Sequence, residues 1–362
     1  MKINILKLFL LLVVGSAMLT ACDSATELTP KYTEDYLNPN KSKEYYAALR
    51  EYKKSDHAVA FGWYGNWTGT GASLANCLTS LPDSTDFVSL WGCWKNPTEA
   101  MLKDLRFCQK EKGLKALVCF IVLDIGDQIT PSGHSESLAA RKEYWGWKDG
   151  DSLAIDKSIR KYANAICDTI DKYQYDGFDL DWEPSYAQPF KTEKSIVPYV
   201  SILIDEMSKR IGPKSNTGRL FVIDGEPAHR DIKYEQGKCF DYFIEQAYYS
   251  SAYSALDGRM ATVINRYRGV MSIEEIAKKY IVCANFESYA STGGDGTFIA
   301  RSGKKYTQLV GFADWNPYFE GKLYRKGGAG SYHMEYEYTA PGKTGTYPFL
   351  RQAIQVMNPN IQ

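Results

Sequence analysis

Strand-like and helix-like segments alternate along most of this chain, which restricts the folds open to it. Short apolar runs predict eight strands, at 58–64, 86–91, 116–123, 177–182, 220–224, 242–248, 281–286 and 309–313. Between them, apolar residues recur at helical spacing, most clearly at 156–173 and 198–211. The pattern predicts an α/β fold of one domain, a closed parallel (β/α)₈ TIM barrel. A doubly wound open sheet is the alternative, but no Gly-x-Gly-x-x-Gly motif follows a strand.

Residues 1–21 are predicted to be a signal peptide. Lys2 and Lys7 flank the start of an apolar run at 8–14, which is too short to span a bilayer as a helix. The following Leu-Thr-Ala-Cys sequence ends at Cys22 and resembles the bacterial lipoprotein signal. This resemblance implies that Cys22 is acylated after cleavage. A plain cleavage site beside an incidental cysteine is the alternative.

Residues 22–40 are polar, contain two prolines and show no periodicity, so we expect a lipid-anchored tether that leads into a barrel domain at 41–362. Asp23 and Glu27 loosely resemble the surface-export signals of some Gram-negative lipoproteins. We therefore expect the protein in the cell envelope, on the outer-membrane surface, with membrane contact through the lipid anchor only.

The overall composition favours a carbohydrate partner over nucleic acid. The chain has 43 basic and 43 acidic residues without a basic block, so no nucleic-acid partner is expected. It contains 27 tyrosines and 8 tryptophans, and sugars stack their C–H faces on such rings. An aromatic-rich core would give the same composition. We expect a monomer.

The cysteines and histidines indicate neither a disulfide framework nor a metal site. Seven cysteines follow Cys22 without regular spacing, and an odd number is poor support for paired bridges. Cys119 and Cys283 lie in apolar strands and are predicted to be buried thiols. No Cys-x-x-Cys occurs, and the four histidines lack ligand spacing, so no metal and no cofactor is expected.

Three carboxylates share one face of the fourth predicted strand. Side chains alternate along a strand, so Asp179, Asp181 and Glu183 point the same way, while the residues between them are apolar. Like charges so close together resist joint ionisation, and at least one should hold a proton near neutral pH. Carboxyl ends of barrel strands carry active sites, which predicts a catalytic cluster ending at Glu183. A solvent-facing acidic strand edge is the alternative.

The sequence Asp-Gly-Phe-Asp-Leu-Asp-Trp-Glu at 176–183 matches the D-G-x-D-x-D-x-E signature of glycoside hydrolase family 18, which includes chitinases and endo-β-N-acetylglucosaminidases. Two further segments resemble the family more loosely. Residues 62–67, with Trp63, are similar to its first strand, and 311–315 to its eighth, whose tryptophan, here Trp315, forms the floor of the −1 sugar site. Both tryptophans could equally be packing residues.

The family resemblance also implies roles for the carboxylates. Glu183 would protonate the glycosidic oxygen while the substrate's own 2-acetamido carbonyl attacks the anomeric carbon and forms an oxazolinium ion. Asp181 would accept a hydrogen bond from the acetamido N–H and offset the positive charge. Asp179 would share a proton with Asp181. Water would then open the ring with Glu183 as base, with retention of configuration.

The sixth predicted strand separates the branches of the family. Chitinases usually carry Met-x-Tyr-Asp there, whereas this chain has Gln246-Ala247-Tyr248 with no aspartate after the tyrosine. A Gln-x-Tyr resembles the endo-β-N-acetylglucosaminidases, in which the pair contacts the acetamido group. A glutamine and a tyrosine on an ordinary strand are the alternative.

From the signature at 176–183 and the Gln-x-Tyr sequence, we expect an endo-β-N-acetylglucosaminidase acting on the N,N′-diacetylchitobiose core of N-glycans or glycoproteins. A chitinase-like hydrolase and a non-catalytic glycan-binding lipoprotein are the other hypotheses.

Overall fold

Eight parallel strands close into a barrel in the computed structural model, which describes residues 41–187, 190 and 198–359. Strands β1 to β8 are Val59–Tyr64, Phe87–Trp91, Lys115–Ile121, Gly177–Trp182, Leu220–Gly225, Tyr242–Gln246, Tyr280–Asn285 and Gly328–Tyr332. Each strand pairs in parallel with the next, and β8 pairs with β1. The predicted TIM barrel is confirmed. The predicted signal peptide, the tether and Cys22 lie outside the described residues.

Helices surround the barrel. Helices α1 to α9 are Lys43–Lys54, Glu99–Phe107, Leu138–Trp145, Ser152–Tyr173, Tyr199–Met207, Tyr253–Tyr267, Ile273–Lys279, Gln308–Asp314 and Pro348–Met357. The longest, α4, begins after the capping residue Asp151 and buries the predicted apolar stripe that includes Ile159 and Ile166. A single turn, Pro184–Ala187, follows β4. Within the described ranges, no helix combines the length and hydrophobicity needed to span a membrane.

The predicted strand at 309–313 is wrong, because this segment lies in the buried helix α8. The eighth strand is instead Gly328–Tyr332, which lacks the β-branched residues typical of a strand. Its glycines allow a close approach to β1. A Cβ atom on Gly328 would lie 2.2 Å from the carbonyl oxygen of Val59, and one on Gly330 would lie 2.1 Å from that of Phe61. Glycine is therefore required at these two positions because the backbones of β8 and β1 lie so close together.

Two apolar layers support the barrel. The outer layer packs the strands against the helices. The inner layer fills the barrel toward the amino ends of the strands, with side chains that include Phe61, Phe87, Leu117, Val222, Ile244 and Ile281. Cys119 and Cys283 belong to this inner layer and are fully buried thiols, as predicted. The buried carboxyl groups of β4 and β5 begin at the upper edge of this layer, where Asp179 lies level with Cys119 and Val222, and continue toward the carboxyl ends of the strands.

Candidate active site

Strand β4 sends two of the three predicted carboxylates into the barrel. Phe178, Leu180 and Trp182 pack outward in the layer between strands and helices, so Asp179 and Asp181 point inward. Both aspartates are buried, whereas Glu183, directly after the strand, is partly exposed. The strand therefore places two acids below the surface and one at its opening.

A cleft of about 430 Å³ opens above these acids at the carboxyl ends of the strands. Its lining residues come from loops and strand ends around the barrel: Trp63, Trp91, Ile121, Asp181, Glu183, Tyr186, Asp224, Gln246, Tyr248, Tyr249 and Tyr332. Five of the predicted site residues are among them, and Asp179 lies buried beneath the cleft. The cleft combines aromatic walls with a small number of convergent polar groups, as sugar sites do.

Asp179 is fixed at the base of the site by two hydrogen bonds. Its Oδ2 atom accepts from Trp63 Nε1 at 3.0 Å and from Ser89 Oγ at 2.6 Å. Burial raises the pKa of Asp179 to about 6, although these hydrogen bonds oppose the rise. The indole of Trp63 thus lines the cleft while its N–H holds the lowest acid. The sequence did not indicate Ser89, because a single serine in an apolar strand carries no pattern.

Asp224, at the end of β5, adds a carboxyl group that the sequence analysis did not identify. It is fully buried and lies beside Asp181 in the strand register. Burial raises its pKa well above the usual value, and the charges of Asp181 and Asp179 raise it further. Burial likewise raises the pKa of Asp181, with contributions from the charges of Glu183 and Asp179. In the sequence, Asp224 directly follows four apolar residues of the predicted strand, and this position could have marked it as a candidate site residue.

The side-chain amide of Gln246 connects two of the acids. Its Nε2 atom donates to Glu183 Oε1 at 2.7 Å and to Asp224 Oδ1 at 2.8 Å. Both amide hydrogens are therefore committed to carboxyl groups, and the Oε1 atom of Gln246 is left to accept from a ligand. Gln246 thus lies in the cleft. It also contacts Glu183, which the spacing of residues in the sequence did not indicate.

The backbone at the end of β5 makes room for Glu183. Gly225 has a φ of +82°, and a Cβ atom there would lie 2.8 Å from Glu183 Cγ and 2.6 Å from the carbonyl oxygen of Trp182. The next residue, Glu226, accepts from Ser185 N at 2.6 Å and from Ser185 Oγ at 2.9 Å. These contacts hold the turn that follows Glu183, so β5 positions the group predicted to donate the proton.

Within the described residues, the acids are also the side chains that could hold a metal ion. Oxygen atoms of Asp181, Glu183 and Asp224 lie within 4.8 Å of one another, and so do ligand atoms of Cys119, Asp179 and Asp224. However, the Gln246 amide directs N–H groups at two of these carboxyls, where a cation would be repelled. The arrangement fits shared protons better than a metal ion.

Aromatic residues form the wall opposite Glu183. The ring of Tyr332, at the end of β8, lies 6.2 Å from those of Trp63 and Trp91 and 6.1 Å from that of Tyr248. Tyr248 therefore lies in the cleft with Gln246, as predicted. Tyr332 was missed because its strand was not recognised. At the rim, Tyr186 and Tyr249 are 81% and 76% exposed.

Trp315 does not lie in the cleft, and its predicted position at the floor of the sugar site is wrong. It follows helix α8 on the outside of the barrel, is fully buried, and donates from Nε1 to Asp257 Oδ1 at 3.0 Å. Lys326 donates to the carbonyl oxygens of Ala313 and Trp315 at 2.6 and 2.7 Å and so caps this helix. The tryptophan is a packing residue, which was the stated alternative.

The chain is similar to known proteins over most of its length. The family model for glycoside hydrolase family 18, BT1044-like, matches residues 22–356. A solved selenomethionine structure of a BT1044 variant is 36% identical, with a TM-score of 0.74, and the match covers 90% of this chain and 95% of that one. Endo-beta-N-acetylglucosaminidase F2 of Elizabethkingia meningoseptica is 24% identical over 331 residues, 86% of this chain and 85% of the relative.

An endo-beta-N-acetylglucosaminidase from Cordyceps militaris, solved in apo form, shares the fold at 20% identity, with a TM-score of 0.57 and coverage of 89% of this chain and 98% of that one. The barrel, the acids on β4 and the match of the family model along almost the entire described chain agree with one another. This chain therefore belongs to glycoside hydrolase family 18, BT1044-like, and is a glycoside hydrolase.

Proposed function

We propose that this hydrolase is an endo-β-N-acetylglucosaminidase that cleaves the β-1,4 bond of the N,N′-diacetylchitobiose core of N-glycans. The observation that carries the proposal is the placement of Gln246 and Tyr248 beside Glu183 in one cleft. An amide and a phenol at that position suit an acetamido group on the sugar, and the residue after Tyr248 is a tyrosine rather than an acid. The similarity to endo-beta-N-acetylglucosaminidase F2 supports the same assignment.

The geometry suits substrate-assisted catalysis with retention of configuration. Glu183 lies at the opening, where it can give its proton to the glycosidic oxygen as the C1–O bond breaks. The carbonyl oxygen of the substrate's acetamido group forms the new bond to C1, giving an oxazolinium ion. Asp181, deeper in the cleft, accepts from the acetamido N–H and offsets the positive charge. Water then attacks C1 while Glu183 takes a proton from the water. The bond between C1 and the acetamido oxygen breaks, which opens the oxazolinium ring.

Asp179 acts through Asp181 in this scheme. It is held by Trp63 and Ser89, and burial raises its pKa to about 6, so it can share a proton with its neighbour. Sharing a proton lowers the repulsion between the two buried carboxyl groups, so Asp181 can carry the negative charge that offsets the oxazolinium ion. The aromatic wall formed by Trp63, Trp91 and Tyr332 gives apolar surface for the sugar ring.

A digest of N-glycoproteins tests the proposal. Purified protein is incubated with native and denatured N-glycoproteins carrying high-mannose, hybrid and complex glycans, and the products are analysed by mass spectrometry. We expect one N-acetylglucosamine to remain on each cleaved asparagine, and chitin oligomers to be poor substrates. Glu183→Gln serves as the matched control, since it keeps shape but cannot donate the proton, and turnover should fall by about 10²–10⁴-fold.

Other outcomes would replace the proposal. Rapid hydrolysis of chitin oligomers without release from glycoproteins would assign a chitinase-like activity to the same barrel. Binding of glycans without cleavage of either substrate would support the glycan-binding lipoprotein. Unchanged turnover in Glu183→Gln would show that β4 does not carry the proton donor.

We further propose that the hydrolase is a monomer held at the outer-membrane surface by lipid on Cys22. Support comes from the sequence alone, through the short apolar run and the Leu-x-Ala-Cys ending. Expression of the full chain in a Gram-negative host, followed by membrane fractionation and mass spectrometry of the amino terminus, tests the anchor. We expect acylated protein in the outer-membrane fraction and loss of acylation in Cys22→Ser. Recovery of the parent protein as an unlipidated soluble form would contradict the proposal.

A further inference from the structure

Three buried carboxyl groups meet at the base of the cleft, and no cationic side chain of the described residues forms an ion pair with them. Asp179, Asp181 and Asp224 are each less than 5% exposed. One oxygen of each, Oδ1 of Asp179 and Asp181 and Oδ2 of Asp224, is enclosed with no donor from the described part of the chain outside the cluster. Three enclosed negative charges would repel strongly, so protons must neutralise part of the cluster.

Asp224 differs from Asp179 and Asp181 in its hydrogen-bond partners. Its Oδ1 atom accepts from Gln246 Nε2 at 2.8 Å, which leaves Oδ2 to face the aspartates of β4. Asp179 already accepts two hydrogen bonds on one oxygen, which favours its charged form. Gln246 also holds Glu183 at 2.7 Å. Asp224 is thus the acid that connects the buried pair on β4 to the amide that supports the proton donor.

We propose that Asp224 is a positioning residue that keeps the proton of the cluster on Oδ2, donates it toward Asp179 and Asp181, and fixes the Gln246 amide against Glu183. The inference rests on the proposed acetamido chemistry, because that chemistry requires Asp181 to be an anion when the substrate's N–H arrives. A neutral Asp224 allows this. Its O–H satisfies a carboxylate oxygen that would otherwise be buried without a donor.

The electrostatics of the cluster agree with this arrangement. Burial raises the pKa of Asp181 and of Asp179, and a hydrogen bond from Asp224 acts against the rise at both. Among the described residues, the ionisable groups facing the cluster are the carboxyl of Glu183, the thiols of Cys119 and Cys283 and the phenols of Tyr248 and Tyr332. Burial raises the pKa of both thiols and of both phenols, so these four groups add no negative charge near neutral pH.

Two substitutions separate the proposed role from simple packing. In Asp224→Asn the new N–H₂ group can donate where the O–H did, and the amide oxygen can still accept from Gln246. We expect kcat within about tenfold of the parent, and an unchanged acid limb of the pH profile. Asp224→Ala removes both contacts, and we expect kcat to fall roughly ten- to a hundredfold. Its acid limb should move to higher pH, because Asp181 loses a donor that favours its charged form.

Asp241, which directly precedes β6 and contacts the amino end of β5, provides the matched control. Its carboxyl accepts from Phe221 N at 2.8 Å, and burial raises its pKa, but it lies at the amino end of the barrel strands. Asp241→Asn should leave kcat and the pH profile unchanged. Thermal unfolding of each variant shows whether lost activity comes from lost fold. Unchanged kcat in folded Asp224→Ala, or inactivity in folded Asp224→Asn, would overturn the proposal.

A readout without substrate keeps this inference separate from the assignment of the reaction. Infrared difference spectra of the free protein, with ¹³C-labelled aspartate, report the C=O band of protonated carboxyl groups. We expect that band near neutral pH to lose intensity in Asp224→Asn and to keep it in Asp241→Asn. Equal intensity in Asp224→Asn and the parent would refute proton storage even if N-glycans are cleaved. Failure to cleave any N-glycan, with the expected spectra, would instead reject only the proposed function.

Discussion

Truncation of Gln246 tests how much the bridge between the acids contributes to catalysis. Gln246→Ala removes a hydrogen bond of 2.7 Å to Glu183 and one of 2.8 Å to Asp224. A bond to a charged carboxylate contributes about 1.5–3 kcal/mol and one to a neutral group about 0.5–1.5 kcal/mol. The side chain is partly exposed, so water replaces part of the loss. We expect Gln246→Ala to lose about 2 kcal/mol of transition-state stabilisation, which is a decrease of roughly thirtyfold in kcat/KM.

The assay is release of glycan from a fluorescently labelled glycopeptide, followed by chromatography over a range of pH. Gln246→Glu provides a matched variant of the same length, in which an acceptor replaces the donor and faces two carboxyl groups. We expect it to be less active than Gln246→Ala at neutral pH, because like charges then adjoin. Its activity should recover toward acid pH, where the new carboxyl is protonated.

Two results with the Gln246 variants would show that this amide does not support Glu183. Activity of Gln246→Ala within about threefold of the parent would show that the amide does not hold the proton donor during turnover. Equal activity of Gln246→Glu and Gln246→Ala at every pH would show that charge near Glu183 is unimportant. Thermal unfolding of both variants checks that the barrel is intact.

Three further substitutions test other parts of the site. Trp63→Phe keeps a ring in the cleft but removes the N–H donor to Asp179, so kcat should fall roughly tenfold with little change in KM, measured by steady-state kinetics. Gly225→Ala forces a Cβ atom against Glu183 at a positive φ, so activity and melting temperature should both fall, by about 1 kcal/mol or more in stability. Asp181→Asn should lose hydrolysis yet still transfer a preformed glycan oxazoline to an acceptor, because the oxazoline-forming step that Asp181 supports is bypassed; absence of transfer product by mass spectrometry would contradict this.

Local patterning was sufficient to predict most of the barrel. Seven of the strands begin and end within two residues of the predicted ranges, because buried parallel strands are short apolar runs bounded by polar loops. The stripe on α4 is similarly explicit. The prediction of a strand at 309–313 was wrong because every residue of this segment is apolar. A helix that is buried on all sides shows no 3.6-residue period in its sequence. The true β8 is rich in small residues that only the packing against β1 explains.

The candidate site was predictable where its residues share one strand. Asp179, Asp181 and Glu183 form a pattern of period two, which a sequence displays directly. Asp224 and Tyr332 come from other strands, and their relation to that pattern exists only after the barrel closes. A single acid or tyrosine at a strand end has many structural uses, and the sequence does not distinguish among them.

The apolar inner layer has a consequence for proton traffic. Phe61, Phe87, Leu117, Val222 and Ile244 fill the barrel beneath the acids, so hydrogen ions reach the cluster from the cleft side. A sugar lying in the cleft then covers that route. The acids therefore begin the chemical step with the protons they held when the glycan arrived, and pH acts on the free enzyme more than on the occupied one. In kinetic terms, acidity should affect capture of the substrate more strongly than its conversion.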